Sequence, residues 1–271
     1  MEKLNNFFRF FCGLTLLCCV GLLQAGVTPI GSLTHEQDAK PGELYRHEIV
    51  LQNTDASPVE VKLYQTDYSF AADGSSHYDP PGRLPRSNAK WVALGRVAIT
   101  VPPKASERVE YEVRVPADKG LTGTYWSMIM VEPIAKGSRE SAEALPENSA
   151  TLSQVLRYGI QVVTNIGKGG QVELTFANPR LVEEEGKRLF AIDVANSGQR
   201  SLRTALWLEL YSDKGSPVGK FQGSAQRLYP GTSACYKIDL GQTPKGKYLG
   251  MVAADAKGDN LFGANVELEI K

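Results

Sequence analysis

Two β-sandwiches in tandem behind a short leader are expected of this 271-residue chain, and three observations lead there. A strand–turn–strand phrase occurs twice, once in each half. Runs that alternate apolar and polar residues, the period of a half-buried strand, dominate from Val27 to the end. No segment carries a helical hydrophobic period of useful length.

The repeated phrase sets the architecture. In the first half Pro102-Pro103 opens the run Arg108 to Val115, a turn follows, and Gly123-Thr124-Tyr125 leads into Trp126 to Val131. In the second half Pro230-Gly231 opens Cys235 to Leu240, a turn follows, and Gly246-Lys247-Tyr248 leads into Leu249 to Ala254. Upstream, each half has a strand ending in asparagine, at Asn53 and at Asn196. Each Tyr resembles the tyrosine corner of immunoglobulin-like sandwiches, whose hydroxyl ties back to backbone upstream. The fold class is therefore all-β, with two tandem immunoglobulin-like β-sandwich domains after a signal peptide.

Residues 1–25 stand apart from this pattern. Lys3 and Arg9 make a short basic start, residues 10–23 are uncharged and largely apolar, and Ala25 ends an acceptable cleavage context. The apolar run is shorter than the ~18–20 residues a membrane span needs. Cys12, Cys18 and Cys19 follow bulky residues or another Cys, which does not fit a lipoprotein. Cleavage near Ala25 leaves Cys235 as the one cysteine, so no internal disulfide forms and the cores themselves must stabilise an exported protein. The expected location is periplasmic or otherwise secreted. Thirty basic and thirty acidic residues balance, and no basic run marks a nucleic-acid or acidic-membrane partner.

The first domain is expected over residues 27–166, with strands near 44–52, 59–68, 91–94, 96–101, 108–115 and 124–131. Residues 71–90, rich in Gly, Pro, Ser and Asp, read as a long loop. Residues 136–151, rich in Ser, Glu and Ala with one Gly and a single Pro and without an apolar period, read as a flexible loop. Residues 152–166 are the longest alternating run and the expected last strand of the domain. Gly167-Lys168-Gly169-Gly170 suits a hinge. The second domain, 171–271, is expected to hold seven strands, near 171–176, 188–195, 204–211, 218–222, 234–240, 248–254 and 261–270.

Catalytic signatures are missing from the sequence. His35, His47 and His77 lack ligand spacing, and neither HExxH nor Cys-x-x-Cys occurs. No Gly-x-Ser-x-Gly elbow is present. Asp67, Asp73 and Asp79 flank a Gly-rich loop, but their spacing matches no EF-hand. We expect no enzyme, no metal site and no cofactor. Trp207 is expected in the second core, as the buried Trp of an immunoglobulin strand C. Trp126 and Tyr125, being adjacent, point to opposite faces, so one of them is expected to be exposed. Cys235 alternates out of step with Tyr236, Ile238 and Leu240 and should point away from the core.

Two phrases carry a family resemblance. The phrase from Gly123 to Pro133 and that from Gln154 to Val163 resemble strands F and G of the periplasmic pilus chaperones (PapD-like), two-domain immunoglobulin-like proteins with a long loop before strand G. The resemblance implies that strand G is lent to an exported subunit, pilin-like or adhesin-like, by strand addition. It implies Leu152, Leu156, Tyr158 and Ile160 as side chains entering the partner and Arg157 as a polar anchor. Alternation alone also allows the same side chains to face this domain's own core. The family's basic residue on the first strand has no counterpart here, since residues 27–36 hold neither Arg nor Lys. A second, looser similarity, carried by Asn196-Ser197-Gly198, the run Leu206 to Gly215 and Leu228-Tyr229-Pro230-Gly231, is to wall-associated two-domain proteins that partner WxL surface proteins. It implies a structural module that binds cell-wall polymer or a surface protein.

Overall fold

Alternation decides which faces meet. Ile49 and Leu51, Val61 and Leu63, Val109 to Val113, Ile129 and Val131, and Ile160 and Val162 occupy alternate inward positions and form one buried cluster. The computed structural model describes residues 26–135, 138, 140–141, 155–256 and 260–271. The expected signal peptide, most of the 136–151 loop and Leu152 lie outside the described residues.

Among the described residues the first domain has ten strands: β1 (Val27–Ile30), β2 (Thr34–Ala39), β3 (Leu44–Asn53), β4 (Val59–Phe70), β5 (Ser76–Asp79), β6 (Val92–Leu94), β7 (Ala98–Val101), β8 (Ser106–Arg114), β9 (Gly123–Pro133) and β10 (Tyr158–Ile166). One sheet runs β1-β3-β8-β6. The other runs β2-β10-β9-β4-β5, with β7 also on β4. β1 and β2 therefore belong to opposite sheets. Between them Gly31 takes φ +97°, a left-handed conformation that glycine adopts without steric cost. β2 then pairs parallel with β10.

The second core lies between the sheets β11-β12-β15 and β14-β13-β16-β17. These seven strands are β11 (Leu174–Glu184), β12 (Lys187–Asn196), β13 (Leu202–Ser212), β14 (Pro217–Leu228), β15 (Ser233–Asp239), β16 (Gly246–Asp255) and β17 (Leu261–Ile270). The long loop expected over residues 71–90 contains β5 and a 3-10 turn at Ala89–Trp91. Polar Ser76-His77-Tyr78-Asp79 forms a strand because β4 runs far enough to pair with it.

The repeat seen in the sequence is an atomic repeat at its asparagines. Asn53 donates through Nδ2 to the carbonyls of Ser57 (2.8 Å) and Val101 (3.0 Å), and its Oδ1 accepts from the Asp55 N–H (2.9 Å). Asn196 donates to Arg200 (2.7 Å) and Leu228 (3.0 Å) and accepts from the Gly198 N–H (3.0 Å). Both are buried. Each thus ties its strand end to the turn that follows it and to the end of a strand distant in sequence.

The tyrosine corner is kept once. Tyr248 donates from its hydroxyl to the Pro244 carbonyl (2.8 Å). Tyr125 instead packs its ring on Trp91, with centroids 4.7 Å apart, under the Arg86 guanidinium.

Two tryptophan expectations need correction. Trp207 faces outward, because Leu206 and Leu208 take the core parity of β13. Its indole carries the Lys220 ammonium 4.4 Å from the ring centroid. Neither member of the Tyr125–Trp126 pair is exposed. Trp126 lies on the outer face of β9, but Tyr229 of the second domain stacks on it at 5.0 Å with an 11° interplanar angle.

Candidate partner-binding edge and interdomain cleft

β10 is held on one side by β9 along its whole length, from the Tyr158–Val131 pair to the Ile166–Gly123 pair. On its other side β2 covers only Gln161 to Ile166. Backbone direction on that side is fixed by two hydrogen bonds, Gln161 N–H to the Leu33 carbonyl (2.8 Å) and Gly167 N–H to the Ala39 carbonyl (3.4 Å). Strand alternation then aims the N–H of Gly159 to the same side, and Arg157 lies immediately upstream of the strand. Among the described residues no strand pairs with that side of Tyr158–Ile160. An unpaired strand edge is a template for another chain.

The side chains along this edge divide by depth. Ile160 is 1% exposed and belongs to the sandwich's own core, with Tyr158 packed against the same cluster. Leu156 is 51% exposed and Val155 38%. So of the sequence-predicted residues, Leu156 and Arg157 present side chains to solvent, while Tyr158 and Ile160 pack inward. Val155, whose parity opposes that of Leu156, is a further exposed apolar residue at this edge, one that apolar alternation does not single out.

Arg157 joins a charged group on the outer face of the sheet. Its Nη1 is 3.8 Å from Glu132 Oε2. Glu132 also accepts from the Tyr64 hydroxyl (2.7 Å) and lies 3.4 Å from Lys62 Nζ. Lys62 reaches Glu140 at 2.6 Å. The Tyr64 hydroxyl, then the Glu132 carboxylate, beside the guanidinium raise the pKa of Arg157 above its usual value. Arg157 lines a hollow of about 680 Å³ with Tyr64, Tyr78 and Met130.

Between the domains the outer face of β4 and β10 meets β11, β14 and β15 across a cleft of about 750 Å³. Gln161 lines it, and its Oε1 accepts from the Tyr229 hydroxyl (2.6 Å) and from Thr34 Oγ1 (3.2 Å). Arg227 Nη2 pairs with Glu36 at 2.8 Å, and Asn165 Nδ2 donates to the same carboxylate (2.9 Å). Burial alone would raise the pKa of Glu36. The hydrogen bonds from Arg227 and Asn165 and the charges of Arg227 and Arg200 outweigh it and hold the carboxyl below its ordinary value.

The glycine-rich junction is clamped by what surrounds it. Arg200 donates to the carbonyls of Gly167 (3.0 Å) and Gly169 (2.9 Å). Thr124 N–H donates to the Gln199 carbonyl (2.8 Å), and Ser201 N–H donates to Thr124 Oγ1 (2.9 Å). A Cβ on Gly123 would stand 2.2 Å from that Gln199 oxygen, and Gly123 also takes φ +78°. Only glycine meets both demands.

Asp67 and Cys235 are each held by neighbouring groups. Asp67 is fully buried, and its carboxylate accepts from the N–H groups of Gly82 (3.0 Å), Arg83 (2.6 Å) and Leu84 (2.6 Å) and from the Ser87 hydroxyl. It organises the 80–88 loop. Among the described residues no three His, Cys, Asp or Glu side chains are grouped to hold a metal ion. Cys235 points away from the second core and lies half-buried in the cleft, accepting from Arg180 Nη2 at 3.1 Å. Burial pushes its thiol pKa up, against the opposing charge of Arg180.

The fold and its edges define a two-domain immunoglobulin-like β-sandwich protein. No family model and no curated protein matches the sequence. Solved structures of similar arrangement include a chain of the chaperone–tip adhesin complex of CFA/I fimbriae biogenesis, at 11% identity and TM-score 0.48, covering 90% of this chain and 98% of that one. The CupB2 chaperone of Pseudomonas aeruginosa aligns at 10% identity and TM-score 0.41, covering 90% and 100%. The E. coli chaperone DraB aligns at 15% identity and TM-score 0.42, covering 89% and 98%. The likeness is one of all-β, two-sandwich architecture. No helix among the described residues is long and apolar enough to cross a membrane.

Proposed function

We propose that this protein is a secreted, non-enzymatic assembly chaperone that binds another exported protein by strand addition at the N-terminal part of β10. The observation that supports the reading most is the half-covered strand. β2 stops at Gln161, leaving Tyr158–Ile160 with one paired side beside the exposed apolar Val155 and Leu156. A partner strand there would take main-chain hydrogen bonds from Arg157 and Gly159, while alternate side chains give selectivity. Leu156, fully covered, would contribute roughly 1.5–3 kcal/mol before ordering costs. Tyr158 and Ile160 act as the rigid inner face of the edge, Arg157 as its polar flank, and Leu152 would extend the apolar parity upstream. The partner class is a pilin-like or adhesin-like subunit, and the location is the periplasm.

The experiment is a pull-down from the native envelope with three variants. Arg157→Pro removes an edge N–H where β10 has not yet begun. Arg157→Ala removes only the guanidinium. Leu156→Glu charges an exposed position. Loss of a captured subunit with the Pro and Glu variants and its retention with Ala is the expected result. Retention by all three would sink strand addition at this edge.

A second reading has its own observation. Trp207 and Tyr211 lie on the outer face of β13, both hydrogen-bonded to Glu209, beside exposed Leu249 and Met251 on β16. That face fits a surface module that binds wall polymer. Binding to insoluble polysaccharide that Trp207→Ala abolishes would favour it.

A further inference from the structure

Two histidines meet behind the short strand that ends the covered part of β10. His35 on β2 and His47 on β3 have ring centroids 5.4 Å apart. His35 Nδ1 is hydrogen-bonded to the Tyr111 hydroxyl on β8 at 2.7 Å, and their rings stack at 5.8 Å with a 4° interplanar angle. Tyr45 on β3 meets His47 edge-on at 5.6 Å, and its hydroxyl shares a hydrogen bond with Thr164 Oγ1 (2.6 Å). The rings thus link β2, which belongs to one sheet, to β3 and β8 of the other.

This contact is built for neutral imidazoles. His47 Nε2 is buried with no hydrogen-bond partner. The titratable groups facing the two rings are each other, Tyr45 on β3 and Tyr111 on β8. β10 presents uncharged Val162 opposite His35. No hydrogen bond or ion pair joins either ring to a carboxylate among the described residues. Burial, and for His35 the neighbouring His47, lower both pKa values from the usual histidine range, with a backbone hydrogen bond at Ser32 opposing this for His35.

We propose that β2 is an acid-released cover on the binding edge: when His35 and His47 take up protons, their repulsion lifts β2 from the sandwich and frees the β10 edge from Gln161 to Ile166. Among the described residues β10 is the one strand paired with β2, and release of β2 also parts Glu36 from Arg227 of the second domain. Its consequence for partner capture rests on the reading of β10 as the binding edge. The release itself is measured without a partner, so the two stand or fall separately.

The sign follows from linkage. Groups whose native pKa is depressed favour the docked form above their unfolded value, about 6.5 for histidine. That contribution is lost as pH falls from there through the native value. In uniformly labelled full-length mature protein, amide exchange corrected for intrinsic rate is compared between about pH 7.5 and pH 5. Protection at Gln161, Val163 and Asn165, whose N–H groups face β2, is expected to fall by up to about tenfold per pH unit for each proton taken up. Val162 and Thr164, facing β9, and Ile192 in the second core keep theirs. His35→Gln and His47→Gln each flatten the dependence. If His47→Gln does not fold, the wild-type profile and His35→Gln decide the matter. Constant protection at the three amides, loss in step with Val162 and Ile192, or an unchanged slope in the variants would overturn the proposal.

Discussion

Replacing Tyr229 with alanine should uncouple the two domains. Tyr229 is 1% exposed and stacks on Trp126, with Val163 in the same cluster and Phe70 and Leu84 packed against it. Removing a buried aromatic ring costs about 3–5 kcal/mol through lost burial and the cavity left behind. The hydroxyl contributes separately. Its hydrogen bond to Gln161 is worth about 0.5–1.5 kcal/mol, and Gln161 keeps Thr34 as a second donor, so Tyr229→Phe should sit at the low end of that range. Urea unfolding followed by tryptophan fluorescence reads both. The wild type is expected to unfold in one transition and Tyr229→Ala in two, because the Tyr229–Trp126 stack, with Phe70 packed against both this cluster and the second core, joins the two domains. Small-angle scattering should show a wider distribution of interdomain distances for the alanine variant alone. A loss below about 1 kcal/mol, the range of ordinary surface changes, with a single transition would refute the view that this stack holds the domains together.

Asn53→Ala and Asn196→Ala should each lose about 2–4 kcal/mol, since each removes three hydrogen bonds at a buried site and leaves backbone groups unpaired; chemical denaturation checks this, and a large loss at one site alone would contradict their equivalence. Tyr248→Phe should cost about 1 kcal/mol and Tyr125→Phe close to nothing, because only Tyr248 has a backbone acceptor; equal costs in thermal melts would contradict this. The pH profile of Cys235 alkylation should have its midpoint above that of an ordinary thiol, and Arg180→Ala should raise it further; a midpoint at or below the ordinary value would contradict the burial seen at the cleft.

Local pattern made much of this legible. The last strand, Leu261–Ile270, follows directly from its alternation. The paired asparagines and Pro-led turns carried the two-domain repeat, because turn chemistry is written in neighbouring residues. What escaped was decided by partners far along the chain. β2, Thr-His-Glu-Gln-Asp-Ala, has no apolar alternation and is a strand only because β10 offers it an edge. Trp126 is buried on an outer face because Tyr229, about a hundred residues later, covers it.

The candidate site shows the same divide. Leu156 and Ile160 share a parity, yet one is half-exposed and the other is core. β10 begins at Tyr158, which pairs with Val131 of β9. Leu156 lies upstream of that pairing and outside the sandwich. No count of apolar residues along 152–166 contains that boundary.

Amide exchange at Arg157 and Gly159 tests the binding edge most directly. It is measured in the free protein and in complex with the subunit that co-purifies from the native envelope. Both amides are expected to exchange freely alone and to become protected in the complex, as a partner strand takes up their N–H groups. Unchanged exchange at both, with protection appearing instead on the Trp207–Met251 face, would contradict strand addition at β10.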